Sequence, residues 1–331
     1  MSTGPSQILL DAEASGEPPV VAFADTPALS PDRLIWRRLR SDRVAVRSVG
    51  VIILLLLIAI LAPLVVDIFG VTGPNVRNPS TLNSFGLPSG PSFSHPFGVD
   101  DIGRDVLARV IYGARIALEV GIFGTVIAVV VGTAIGLLAG FYGGWIETLL
   151  MGAVDVLLAF PVVLLGLGIG DACGGGGCAG GAIGPGLGTV IFIVALTSFP
   201  YVARIVRRRV ASLREREFVL AARSLGASSG RILYREIAPN LLAPLIVYSV
   251  LLVPTNILLE AALSFLHVGI LPPTADWGQM ISAAGNDILS GNSAWWYLVF
   301  PGLALLFTVL AFNLLGDGLL GALGRRGQTD G

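Results

Sequence analysis

The sequence predicts an all-α polytopic membrane protein with six transmembrane helices. Of its 331 residues 54% are hydrophobic and 13% are charged, against the ~25% charged residues of ordinary soluble domains. The mean hydropathy is +0.81. Six apolar runs, at about 48–68, 116–139, 146–170, 187–206, 241–266 and 295–316, each approach the ~20 residues that a helix needs to cross a bilayer.

Residues 1–47 precede the first run. The first 30, rich in Pro, Ala, Ser and acids without a sustained apolar period, read as a disordered tail. The run at 48–68 contains "VIILLLLIAILAPLVV" and lies too far in, and is too long, for a cleaved signal peptide, so it reads as an anchor. Segment 69–115 is long and rich in Pro, Gly, Ser and Asn. Within it "DDIGRDVLARVIYGAR" places Val106, Leu107, Val110 and Ile111 at a spacing that suits an amphipathic helix at the interface; the same residues also serve as a lead-in to the second span. Residues 116–318 hold the other five spans. The third and fourth are the least apolar, diluted by Gly and by Asp155, which suits helices facing other helices rather than lipid. Residues 319–331 read as a short tail.

All 21 basic residues are arginine. Seventeen of them precede the first span, follow the fourth (Arg204 to Arg235) or follow the sixth (Arg325, Arg326). The positive-inside rule makes that side cytoplasmic and places both termini there. Only Arg77, Arg104, Arg109 and Arg115 fall outside, near Asp100, Asp101 and Asp105. Without lysine the chain has neither a Walker A phosphate loop nor a Schiff-base or Ser-Lys mechanism. Any ATP it depends on is therefore hydrolysed elsewhere. Two histidines, His95 and His267, are too few for a His-built zinc site. No catalytic, cofactor-binding or metal-ligating residue is assigned.

Three acids lie in or near predicted spans. Ionisable groups in lipid are costly and mark either a pathway or an interhelical pair. Glu119, near a membrane end, suits the pair; Asp155 and Glu260 suit either role and are carried as translocation-path candidates. In "GDACGGGGCAGG" an outer loop holds Cys173 and Cys178, which are close enough to bridge and equally able to remain thiols.

The basic segment 207–240 is the most informative. From Glu217 a helix is expected, with Phe218, Ala221, Ala222 and Leu225 on one face and Glu217 in the first turn. Gly226 permits a tight turn. Ser228 or Ser229 can cap a second helix carrying Ile232, Leu233 and Ile237, and Pro239 interrupts the pattern before the fifth span. This describes either a docking elbow or a basic loop that fixes topology and touches anionic lipid.

"EFVLAARSLGASSGRILYREIAPN" resembles the EAA motif of bacterial ABC-importer permeases. Ala221, Ala222, Gly226, Ile237 and Pro239 match; Leu220 and Ala238 depart from the usual Glu and Leu, and Glu217 is the nearest acid. His95–Gly121, Leu258–Ile281 and Phe300–Leu320 are similar to the C-type subunit of the dipeptide/oligopeptide/nickel branch. The resemblance covers about 95–320. It implies a type I ABC-importer permease fold, a heterodimer with a second permease, and two cytoplasmic ATPase domains that hold ATP-Mg. It also implies an extracytoplasmic solute-binding lipoprotein and an inner-membrane location, with no nucleic-acid partner. On this resemblance Glu217, Ala221, Ala222, Gly226, Ile237 and Pro239 couple the ATPases to the spans. The cargo it implies is di- or oligopeptide, with nickel or another small solute as the alternative. An ion-coupled carrier and a membrane scaffold without transport are the more distant readings.

Overall fold

A computed structural model describes residues 40, 42–84, 86–174, 176–289 and 294–324. The acidic tail 1–30, Arg33, Arg37, Arg38, Arg325 and Arg326 lie outside the described residues. Helices dominate, and β-pairing among the described residues is confined to isolated bridges.

The chain runs α1 (Arg43–Ile60), α2 (Ala62–Ile68), α3 (Val106–Tyr142), α4 (Gly144–Ala159), α5 (Val162–Cys173), α6 (Leu187–Arg214), α7 (Glu217–Ser224), α8 (Ser229–Arg231), a π-helical stretch Ile232–Ile237, α9 (Pro239–Phe265), α10 (Trp277–Leu289) and α11 (Trp295–Gly324). Five of these, α1, α3, α6, α9 and α11, are long and apolar enough to cross a membrane, and α4 with α5, bent by 90°, makes a sixth if the pair is taken as one span.

Three boundaries differ from the sequence expectation, each for a local reason. The first run is one helix from Arg43, capped by Asp42 Oδ1 on the Val44 and Ala45 amides (2.9 and 3.2 Å). It breaks at Leu61, just ahead of Pro63. The third run breaks at Phe160–Pro161, because Pro161 pushes its predecessor into extended geometry: Phe160 sits at φ −84°, ψ 138°. The expected interfacial helix is no separate element. Residues 100–105 form a tight turn, and α3 starts directly at Val106 with Asp105 as its cap (Oδ1 to the Ala108 amide, 3.0 Å). Val106, Leu107 and Ile111 are buried in protein; Leu107 and Ile111 pack on Ala62 and Val66 of α2, and Val106 joins the main core. None of the three lies on a lipid surface.

The most extensive helix pair is α3 with α6. Gly124, Gly132, Gly136 and Gly140 line α3 at multiples of four residues, so they share one face. A Cβ on Gly132 would stand 2.6 Å from the Phe199 carbonyl oxygen. On Gly136 it would stand 2.7 Å from that of Ala203, and on Gly140 2.7 Å from that of Arg207. Val194, Val202, Val206 and Val210 of α6 fill the stripe. In lipid, where association rests on van der Waals packing, small residues that let backbones touch are the usual basis of such contacts. The least apolar of the six runs besides the third, 187–206, is thus the interior span of this chain: 61% of its most apolar window is buried, against 22% in α1.

Across this pair lies a polar staple. Ser198 Oγ of α6 donates to Asn256 Oδ1 of α9 (2.7 Å), and Asn256 Nδ2 donates to Thr125 Oγ1 of α3 (2.8 Å). Thr125 in turn donates to the Gly121 carbonyl (2.6 Å), so the buried amide oxygen and nitrogen are both satisfied.

At the end of the molecule opposite the arginine-rich one, α10 and the 95–105 turn form a cap. Trp277 Nε1 donates to the Val110 carbonyl and Trp296 Nε1 to that of Val99, both at 3.0 Å. Buried Asp100 takes the Arg104 guanidinium at 2.6 Å, and His95 Nδ1 meets Asp105 at 2.8 Å. Asp287 of α10 adds a carboxylate whose Oδ2 is buried without a hydrogen-bond partner. Burial pushes its pKa above the ordinary 3.8, and the Asp101 and Asp100 charges push it further.

Two outcomes test these contacts. Gly136→Ile overpacks the α3–α6 seam and costs at least ~1–3 kcal/mol, whereas Asn256→Ala costs about 1 kcal/mol. Thermal melts of the solubilised protein rank the two. Because the folded Asp287 pKa is raised, its ionisation weakens the fold as pH climbs from 3.8 through the folded value. Asp287→Asn removes that penalty: the variant melts above wild type at neutral pH, and the difference closes as pH falls towards 3.8.

Candidate functional site

The ends of four spans, α1, α6, α9 and α11, lie together beside the arginines. Gly318 of α11 packs on Ala45 of α1. A cavity of about 610 Å³ between α6, α9 and α11 is lined by Ile205, Arg209, Pro239, Asn240, Tyr248 and Leu320 among others. Beside it stands the elbow formed by α7, α8 and the π-helical stretch.

Each bend of this elbow has a local cause. Arg216 adopts extended geometry, so α6 stops and α7 starts afresh at Glu217. Gly226, at φ +78°, ends α7 in a Schellman pattern: the Ala227 amide donates to the Ala222 carbonyl (3.1 Å) and the Gly226 amide to that of Arg223 (3.0 Å). Ser228 caps α8, its Oγ accepting from the Arg231 amide at 3.4 Å. Pro239 has no amide hydrogen to give, and the backbone answers by widening. The Ala238 amide donates to the Leu233 carbonyl (2.8 Å), and Asn240 Nδ2 donates to the Glu236 carbonyl (2.6 Å). Pro239 therefore opens α9 rather than breaking it.

The elbow has two faces. Inward, Val219, Ile232, Leu233 and Ile237 are buried against Val206, Val210 and Leu213 of α6, with Phe141 of α3 in the same cluster. Outward, Phe218, Leu220, Ala221, Leu225 and Tyr234 are exposed, with Leu225 at 89% and Tyr234 at 74%. The face expected from spacing is split: Ala222 turns half inward beside Val219, while Phe218, Ala221 and Leu225 remain outside. Val219, absent from the expectation, is the anchor, being fully buried; a β-branched apolar residue next to Phe218 was the available signal. Large apolar side chains left bare on a short helix rimmed by Arg216, Arg223, Arg231 and Arg235 mark an interaction surface. Of the motif residues, Ile237 is core, Glu217, Ala221, Gly226 and Pro239 are exposed, and Ala222 lies between.

The acids separate into different environments. Glu119 pairs with Arg115 one turn away (2.9 Å). Asp155 of α4 is exposed and pairs with Arg204 of α6 (2.6 Å). Glu260 of α9 is enclosed at 1% exposure. Its Oε1 accepts from Ser264 Oγ (3.1 Å) and its carboxyl faces that of Asp276, each acid leaving one buried oxygen without another donor. Asp276 also starts α10, its Oδ1 accepting from the Gln279 amide (2.8 Å). Glu260 thus ties α9 to the cap, and the structure does not bring it together with Asp155. Cys173 and Cys178 form a disulfide that closes the Gly-rich loop, with Cα atoms 4.6 Å apart.

A Gln at position 260 would give Asp276 the donor it lacks. Glu260→Gln is expected to assemble and melt at or above wild type, whereas Glu260→Ala, which leaves Asp276 buried alone, loses ~1–3 kcal/mol. Thermal melts with an uptake assay check this; a correctly assembled Glu260→Gln protein without uptake would assign the charge itself a transport role.

Comparison with known proteins agrees with this geometry. Residues 132–328 match the binding-protein-dependent transport system inner membrane component, and residues 30–79 match the N-terminal transmembrane domain of oligopeptide transport permease C. The chain is 38% identical to the dipeptide transport system permease protein DppC of Alkalihalophilus pseudofirmus, over 98% of both chains. It is 39% identical to the glutathione transport system permease protein GsiD of Escherichia coli, over 90% of this chain and 93% of that one. With GsiD of Pectobacterium atrosepticum the identity is 36%, over 90% and 92%. The long spans, the elbow and these matches together place the chain in the family of inner membrane components of binding-protein-dependent transport systems, within the C-type permeases of its dipeptide/oligopeptide branch.

Proposed function

We propose that this chain is the second permease of an ATP-driven importer of short peptides, and that α7 is where ATP hydrolysis on partner subunits is converted into movement of the spans. The exposed face of Phe218, Ala221 and Leu225, set on a helix anchored by Val219 and Ile237, carries this reading. A helix of eight residues between a Schellman turn and an extended junction cannot slide along α6; a groove that grips it moves α6 as well. Because α6 is sealed to α3, the displacement reaches two spans at once.

On this reading the arginine-rich end faces the cytoplasm, with both termini there. Two ATPase domains grip the elbows of this chain and of a second permease, and ATP-Mg is held by the ATPases alone. An extracytoplasmic binding lipoprotein delivers solute to the cap built from α10 and the 95–105 turn. The relatives named for dipeptide and glutathione transport support a di- or tripeptide cargo. Glu217, with no ion-pair partner among the described residues, is free to contribute at the gripped surface.

The test uses Gly226. Its φ of +78° strains any β-branched residue, while no neighbour within 4 Å blocks a side chain, so substitution disturbs the turn and not the packing. Gly226→Val is expected to leave the subunit assembled in the membrane, to retain ATP hydrolysis, and to lower peptide uptake by at least ~10-fold, the equivalent of ~1.4 kcal/mol of lost coupling. Unchanged uptake would remove the docking role.

A further inference from the structure

α4 is nearly unpacked within this chain: Val154 is its single buried residue, and Gly166 is that of α5. On its open side Glu147, Met151 and Asp155 repeat every fourth residue and so share a face. Opposite them on α6 stand Arg204, Arg207 and Arg208, and the six residues line a cavity of about 410 Å³. Glu147 pairs with Arg207, and Asp155 with Arg204 at 2.6 Å. The Asp155 and Arg204 side chains remain 58% and 44% exposed.

Depth makes this notable. Asp155 lies nine residues into the apolar run 146–170, about 14 Å along a straight helix, and holds Arg204 beside it. A bare ion pair at that depth cannot face lipid without a heavy cost. A second, independent feature marks the same side. The backbone breaks by 90° at Phe160–Pro161, one turn beyond Asp155, and non-helical backbone at membrane depth is tolerated only against protein or a water-filled cavity.

We propose that Asp155 and Arg204 form a solute subsite in the transmembrane path, where they exchange their mutual ion pair for the ammonium and carboxylate ends of a passing peptide. The exchange conserves charge. One neutral pair opens, two neutral pairs form, and no ion stands uncompensated at any stage. The broken end of α4 adds favourable polarity, since the carbonyls of its last turn lie beside Asp155 and complement an ammonium group. Uncharged or singly charged solutes would leave one member of the pair open, which selects zwitterions. The inference rests on the peptide-importer reading above and deepens it.

The experiment uses the assembled transporter in inverted membrane vesicles, a small cationic methanethiosulfonate as probe, and alanylalanine as solute. Cys173 and Cys178 are bridged and do not react, so the wild type is its own blank. Met151→Cys places a thiol in the cavity between the charges. It is expected to label, to be protected by alanylalanine, and to lose that protection when Asp155→Asn is added. Val156→Cys, exposed but outside the cavity, is expected not to label. Absence of labelling at position 151 overturns the aqueous path; labelling without protection overturns the subsite; protection that survives Asp155→Asn overturns the role of the pair. If the wild-type transporter moves no dipeptide at all, the peptide reading itself fails and takes the subsite with it.

Discussion

The architecture depends on backbone-to-backbone contact between α3 and α6. Four glycines on α3 remove the side chains that would hold the helices apart, and four valines on α6 fill the space they leave. Buried apolar area cannot serve this purpose in lipid, where the surroundings are as apolar as the interface. Close approach of two backbones is what remains, and it makes α3 and α6 one mechanical body. The Ser198–Asn256–Thr125 staple then fixes α9 to that body through directional bonds that packing alone does not provide.

The two ends of this body are finished differently. At the arginine-rich end the chain folds back as an elbow whose inner face continues the core and whose outer face is bare. At the other end buried Trp277 and half-buried Trp296, the Asp100–Arg104 pair and the Glu260–Asp276 contact fasten a cap over α3 and α9. Between them, the broken pair α4–α5 stands apart with little internal packing. A subunit built this way has one stiff unit, one end with a bare apolar face, and one loosely held element beside a charged cavity. That is the distribution of stiffness that alternating access between two states requires.

Much of this was legible in the residues. The apolar runs located the five long helices and the bent pair α4–α5, because length and composition suffice for a helix that must satisfy its own backbone. Gly226 and Ser228 announced the elbow through turn and cap chemistry. Three features were not legible, for distinct reasons. The break at Pro161 is invisible to hydropathy, since an apolar run stays apolar across a 90° bend. The inward turn of Val219 depends on where α6 stops, which is set by the geometry of Arg216 rather than by periodicity. The different fates of Asp155 and Glu260, one open and one sealed, follow from neighbours 49 residues away in Arg204 and on the cap in Asp276. Both acids look alike in a linear run.

The central claim is that the elbow is the seat of an external ATPase and moves α6 with it. Leu225→Cys, at the most exposed apolar position of the elbow, offers the most direct measurement: short-span crosslinking in the intact transporter, with and without ATP. An adduct between Leu225→Cys and the ATPase subunit is expected in both states. Adducts formed only with lipid or with an extracytoplasmic protein, and none with an ATPase, would contradict it.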